Sequence, residues 1–341
     1  MKSRFIIFRW FCFLSCVLPI TGTLALAQQE PIPLRVRLGD VDNTKVVALI
    51  ALDEGIYKRN GLAAVPFISP DAAEITRRRG IVVPAQYVGK DQTGIWLGGG
   101  TPSIVTRVND ATSGETIIVA TLDHFIHWPM IGREGIRRLE DIKGKRIGYN
   151  AYGTMTHFIA LELCRRMGWN PVTDVSLMER GTSHDSLKNG RVDAYSASEV
   201  SYAAALDAGY KDMGVDTRAW NVPIAGSSII TTRAWLRDNR EAARRFVKSI
   251  IEAIALMKKD PAVSNRVMAK WYGITNPAHQ KILNDGNREM PKKPYPAVDG
   301  IKKTMELYSS HEMRRYKPED FYDDSIVREL DQSGFIDGLY R

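Results

Sequence analysis

Gly135-Ile136-Arg137-Arg138-Leu139-Glu140-Asp141-Ile142-Lys143-Gly144-Lys145-Arg146-Ile147-Gly148 reads as a short helix, a glycine turn and a strand. Gly153-Thr154 then opens a helix whose apolar stripe is Met155, Phe158, Ile159, Cys164 and Met167, and Gly168 ends it. The alternation runs on in both directions. Downstream come a strand at 175–178, a helix at 183–188, a strand at 192–195 and a helix at 200–208. Upstream, Leu34-Arg35-Val36-Arg37-Leu38-Gly39 alternates apolar and charged residues as a strand does. Asp42-Asn43-Thr44 offers capping side chains to a helix carrying Val46, Val47, Ile50 and Ala51. Strands follow at 64–68, 93–97 and 115–122, with Ser103 capping a helix that runs to Asn109. Strand–helix alternation of this kind predicts an α/β fold with a mainly parallel sheet. The remainder is a strand at 228–232, then helices: Asn239 is expected to cap the longest, with Phe246, Val247, Ile250, Ile251, Ile254 and Met257 on one face. Arg77-Arg78-Arg79 reads as a solvated helix end.

The chain has 341 residues, 44% of them hydrophobic and 25% charged. These are ordinary globular proportions, and they exclude a collagen, a disordered tail and a disulfide-stapled mini-protein. The length suits about two domains of roughly 150 residues. The first segment has the form of a removable leader. Lys2, Arg4 and Arg9 start it, an apolar run from Phe11 to Ile20 follows, and Ala25-Leu26-Ala27 ends it, so cleavage is expected before Gln28. A membrane anchor and lipidation at Cys16 are the alternatives. Because three positive charges sit in this leader, the net charge of +8 overstates the excess on the rest. That diffuse excess fits small anions or anionic surfaces; a nucleic-acid footprint would need a concentrated basic face. Without Cys12 and Cys16, Cys164 stands alone on its amphipathic helix and reads as a buried apolar residue rather than a nucleophile.

No catalytic signature stands out. Gly98-Gly99-Gly100-Thr101 lacks the lysine of a phosphate-cradling loop, and Gly181-Thr182-Ser183-His184-Asp185 puts Ser, His and Asp side by side where triad partners come from separate segments. Asp123-His124-Phe125-Ile126-His127-Trp128 leaves three readings open: metal ligation, direct ligand contact and structural packing. Helix starts led by small polar residues recur at Asn43-Thr44, Thr101-Pro102-Ser103, Gly153-Thr154 and Thr182-Ser183. Each offers free N–H groups at the positive end of a helix dipole, although simple capping explains any one of them.

The order of these segments resembles exported substrate-binding proteins of ABC transporters, in the nitrate/sulfonate/taurine and thiamine-precursor group. Ala51-Leu52-Asp53-Glu54-Gly55-Ile56-Tyr57-Lys58-Arg59-Asn60-Gly61-Leu62 is similar to that family's first-helix segment, and 135–148 to its GI-x-x-L-x-DLKGK-x-IG run. Gly190-Arg191-Val192-Asp193-Ala194, the stretch 231–241 and the tail from Lys317 to Ile336 are similar to further family segments, whereas 63–115 departs from the common pattern. The resemblance implies a two-lobed type II periplasmic binding fold whose chain crosses twice between lobes, near 123–128 and 222–227. Lobe one would comprise 30–124 plus 227–341, and lobe two 125–226. The implied function is capture of a small organic or anionic solute and its delivery to an ABC permease at the inner membrane. The protein would be a soluble periplasmic monomer without cofactor or metal. The expected ligand contacts are Asp42, Asn43, Thr101, His124, His127, Thr154, Thr156, Ser183 and Glu199. Acids at Asp42 and Glu199 would repel an anion, so if both touch the ligand a zwitterion or heterocycle fits better than nitrate. The alternatives are an exported enzyme using His124 and His127, or a solute sensor for a membrane receptor. A desulfinase branch of the fold uses a cysteine in its N-terminal lobe, a position Cys164 does not match.

Overall fold

Along β1 (Ile32–Leu38) the side chains of Leu34, Val36 and Leu38 go into the core while Pro33 and Arg37 face out, as a period of two requires. The computed structural model describes residues 30–341 apart from Gly80 and Asp91, so the expected leader, its cleavage before Gln28 and Cys16 lie outside the described residues. Nine more strands follow in order: β2 (Leu62–Ile68), β3 (Ile95–Gly99), β4 (Thr116–Thr121), β5 (Met130–Gly132), β6 (Arg146–Tyr149), β7 (Ser176–Glu179), β8 (Ala194–Ser196), β9 (Lys211–Asp212) and β10 (Ser227–Thr232).

They form two five-stranded sheets, ordered β2-β1-β3-β10-β4 and β7-β6-β8-β5-β9. The fold is the expected two-lobed α/β architecture. In the first sheet β1 pairs parallel with β2 and β3, and β10 enters antiparallel between β3 and β4. In the second, β6 pairs parallel with β7 and β8, while β5 is antiparallel to both β8 and β9. Both sheets are thus mixed rather than mainly parallel. The short β5 and β9 carry no alternating pattern of their own; pairing within the sheet makes them strands.

The chain passes between the sheets along two connectors that run side by side. Ile126 N–H donates to the Val222 carbonyl (3.0 Å), Ile224 N–H to His124 (2.9 Å) and Gly226 N–H to Asp123 (3.1 Å). Phe125 and Pro223 form an antiparallel bridge between them. The helix Val298–Leu307 presses on this ladder: a side chain on Gly300 would collide with the Ile224 carbonyl.

The long helix is Arg240–Lys259, and its stripe of Phe246, Val247, Ile250, Ile251 and Ile254 is fully buried in the core under the first sheet. The helix Met155–Met167 buries Leu163 and Cys164 under the second. Three capping expectations are corrected. Asn239 precedes the long helix but its amide donates to the Trp235 carbonyl (3.1 Å) instead of capping. Ser103 lies inside a helix that begins at Gly100, and its hydroxyl donates to Gly99. Asp42 precedes the turn Asn43–Lys45 without capping it.

Candidate functional site

A cavity of ≈ 630 Å³ opens at the carboxyl ends of the parallel strands of both sheets, where open α/β folds bind ligands. The first sheet supplies Arg37 from β1, Gly39, Asp40 and Asp42 after it, Gly98 and Gly99 from β3, Asp123 after β4, and Ser227 opening β10. The helix Pro70–Arg77 and its extension contribute Ser69, Ile75, Thr76 and Arg79. Opposite them stand Asn150 after β6 and the helix start Thr154, Met155 and Thr156, with Trp96 and Trp128 as aromatic walls.

The floor is charged. Lys45 is 2% exposed, an unusual place for an ammonium unless it is paired. It donates to Ser227 Oγ (2.6 Å) and Thr44 Oγ1 (3.1 Å) and pairs with Asp40 Oδ1 (3.0 Å). Burial pulls its pKa down, but Asp40 and Asp42 outweigh burial and hold the group protonated. Asp42 is 3% exposed, and its Oδ1 has no hydrogen-bond partner. Burial, offset only in part by Lys45, raises its carboxyl to about 7.

Arg79 is the residue the sequence reading missed. It does not end in solvent: it lines the cavity and donates from Nη2 to Thr182 Oγ1 (3.2 Å), a residue that follows β7 in the other sheet. Burial lowers its pKa, with Asp40, Tyr195 and Asp42 opposing that. Neighbouring Arg77 and Arg78 do behave as expected, pairing with Glu74 at the surface. Lys45 and Trp96 were also missed. A lysine set directly before the apolar run Val46–Ala51 was the available signal for the first. The helix start at Thr154 is bound inward: its hydroxyl donates to the Ala151 carbonyl (2.6 Å), and Thr156 Oγ1 accepts from Asn150 N–H (2.9 Å). The first-turn N–H groups of this 13-residue helix have no intrahelical partner.

Of the nine expected contacts, Asp42, Thr154 and Thr156 line the cavity. Asn43 lies fully buried behind it, with neither amide atom hydrogen-bonded. Thr101 is fully buried too, bonded to the Ala225 carbonyl (3.2 Å) and Thr304 (3.0 Å). Ser183 caps the helix His184–Lys188. His124 Nε2 meets the Tyr295 carbonyl (3.1 Å), and burial lowers its pKa. His127 sits between two carboxylates: Nε2 is 2.7 Å from Asp123 Oδ1, and Nδ1 contacts Glu199 Oε1. Burial opposes its charge, but the two acids outweigh burial and raise its pKa well above the usual value. His127 and Glu199 also line a smaller cavity of ≈ 300 Å³ on the far side. Among the described residues, no group of three or more His, Cys, Asp or Glu side chains is arranged to hold a metal ion. Cys164 is 1% exposed in the packed core and off the cavity, and burial first of all pushes its thiol up to about 11.

Residues 108–264 match the family profile described as NMT1/THI5 like. Compared with curated protein sequences, the chain has no significant match. Among solved structures, the periplasmic nitrate-binding protein NrtA from Synechocystis PCC 6803 superposes with a TM-score of 0.66 at 12% identity, covering 89% of each chain. The periplasmic aliphatic sulphonate binding protein SsuA from Escherichia coli superposes at 0.59 and 18% identity, covering 87% of this chain and 92% of its own. The desulfurization enzyme DSZB reaches 0.61 at 13% identity, over 89% and 99%. The resemblance read from the sequence therefore holds: the chain is similar to nitrate- and sulfonate-type periplasmic binding proteins, with their two-lobed fold.

Proposed function

We propose that this chain, similar in family profile and fold to periplasmic solute-binding proteins, is an exported carrier. It captures a small organic or anionic solute between its lobes and hands it unchanged to an ABC permease. The observation that carries this reading is the polar cavity built jointly by the carboxyl ends of both sheets, beside two antiparallel connectors. We set lobe one at 30–124 plus 227–341 and lobe two at 125–226, with the connectors as the hinge. Hinge closure would shield the solute from water and present one shape to a membrane partner. The 630 Å³ volume falls in the range of roughly 300–1,000 Å³ that suits small organic ligands. Cleavage before Gln28 and a monomeric state are part of the same reading.

Catalysis on this fold has less support. Cys164 is remote from the cavity, and His127 is held by two carboxylates. The test is to purify the protein natively, denature it and identify the released solutes by mass spectrometry. Small-angle scattering with and without the recovered compound then reads closure. An intact solute and a smaller radius of gyration are expected; a converted product, or no retained solute together with unchanged scattering across a metabolite panel, overturns the reading.

A further inference from the structure

The floor of the cavity is built to receive a hydrogen-bond donor rather than to supply one. Lys45 lines the cavity and is almost fully buried, and an ammonium has three hydrogens. Ser227 and Thr44 accept from it at 2.6 and 3.1 Å, and Asp40 Oδ1 stands 3.0 Å away as an ion pair while having no hydrogen-bond partner of its own. Two of its three hydrogens and its charge are thus engaged inside the protein.

Asp42 is the opposite case. It lines the cavity, is more than nine-tenths buried, and has a carboxyl oxygen without a hydrogen-bond partner. Its position before the turn Asn43–Lys45 would ordinarily use that carboxyl as a cap, yet no capping bond forms. Tyr272 reaches only the Asp42 carbonyl, at 3.2 Å. A buried polar group left unmatched is costly, and a group that recurs at a cavity wall in this state calls for a partner from outside. Asp40 and Asp123 line the same wall. Asp123 already accepts from His127.

The rim differs. Arg79 uses one nitrogen on Thr182, and a guanidinium has five N–H donors. The helix start at Thr154–Thr156 stands on the same side of the ledger. Trp96 and Trp128 also line the cavity and offer apolar surface, which a bare inorganic ion cannot use.

Resting on the solute-binding reading, we infer that Asp42 is the specificity-determining residue of the cleft. It selects an organic solute bearing a cationic amine, whose N–H groups bond the Asp42 carboxylate while an acceptor end faces Arg79 and the Thr154 helix start. The preferred class is an organic zwitterion rather than nitrate or an amine-free sulfonate.

The charge state of Asp42 makes the inference testable by pH. Its carboxyl titrates near 7 through burial, with Lys45 lowering it and Asp40, Glu199 and Asp123 raising it. Arg37 and Arg79 are the further charged groups lining the cavity, and His127 pairs with Asp123 beside it. An ammonium binds the ionised form, so its affinity rises from pH 6 to pH 8. An anion accepting from protonated Asp42 would lose affinity over the same interval.

The experiment identifies the solute released from natively purified protein. It then measures calorimetric affinities for that solute and for two matched pairs: 2-aminoethanesulfonate against ethanesulfonate, and phenylalanine against 3-phenylpropanoate. The expected result is an amine-bearing released solute and a preference of at least tenfold for the amine-bearing partner of a pair. Its affinity should rise about tenfold between pH 6 and 8. Asp42→Asn, its fold checked by circular dichroism, should abolish both the preference and the pH dependence; the preference in the unmodified protein stands as a test without the variant. A released solute without an N–H donor, equal binding of amine-free partners, or an unchanged ratio in D42N overturns this inference and leaves solute capture standing. No released solute and no binding by any probe overturns both.

Discussion

Replacing His127 by Gln tests whether the buried carboxylate–imidazolium–carboxylate arrangement ties the connector to the second lobe. His127 is 7% exposed, Glu199 2%, and the Asp123 side chain 10%. Gln removes the positive charge between the two acids and leaves both carboxylates without their cation. Removing one partner from a buried ion pair costs about 3–5 kcal/mol, because the charge left behind is uncompensated. At on the order of 2–4 °C per kcal/mol for a domain of this class, Tm should fall by roughly 6–20 °C. The pH dependence identifies the cause. Since the folded pKa of His127 is raised, the stability it contributes is fully present below its unfolded pKa of about 6.5 and fades as pH rises through the folded value. The difference between the two proteins should therefore be full at pH 5 and shrink through pH 7 to pH 9. Equilibrium urea unfolding at the three pH values reads it. A loss below about 1 kcal/mol, or one identical at all three, would refute the electrostatic account.

Arg79→Met removes the hydrogen bond to Thr182 that spans the two sheets; the variant should scatter as a more open particle in the presence of ligand and bind at least several-fold more weakly, measured by scattering and calorimetry. Gly300→Ala forces a methyl group into the Ile224 carbonyl, so overpacking should cost about 1–3 kcal/mol or more, read as a lower denaturation midpoint. Cys164→Ala removes a thiol that lies off the cavity; solute affinity should be unchanged, and in the unmodified protein a thiol reagent should label this residue only under denaturing conditions.

The parts legible in the sequence were those governed by local periodicity. The alternation in 34–39 and the helical stripe in 240–259 state their own structure, because burial on one face imposes a period of two or of 3.6 whatever the partner. β5 and β9 were not legible: three and two residues long, they become strands only through the neighbours that accept their hydrogen bonds. Capping was legible as chemistry but not as placement. Asp42 and Asn239 are good capping types, yet one is turned to the cavity wall and the other to Trp235.

The candidate site divides in the same way. Its location at strand ends follows from α/β topology, which the order of elements implies, and that order placed Asp42, Thr154 and Thr156 on the cavity. Its electrostatics do not follow from order. Arg79 belongs to a run of three arginines with identical local sequence character, yet it reaches Thr182 across the cavity while its neighbours pair with Glu74 at the surface. Lys45 and Asp42 lie three residues apart, but Lys45 donates to Ser227, far along the chain in β10, while Asp42 Oδ1 has no hydrogen-bond partner. From local patterning came the strand–helix alternation of an α/β chain, because burial periodicity and turn chemistry are local; the two lobes were implied by the family resemblance. Which charges are neutralised inside and which are left for a ligand was decided in three dimensions, because Coulomb and hydrogen-bond partners are chosen by distance in space.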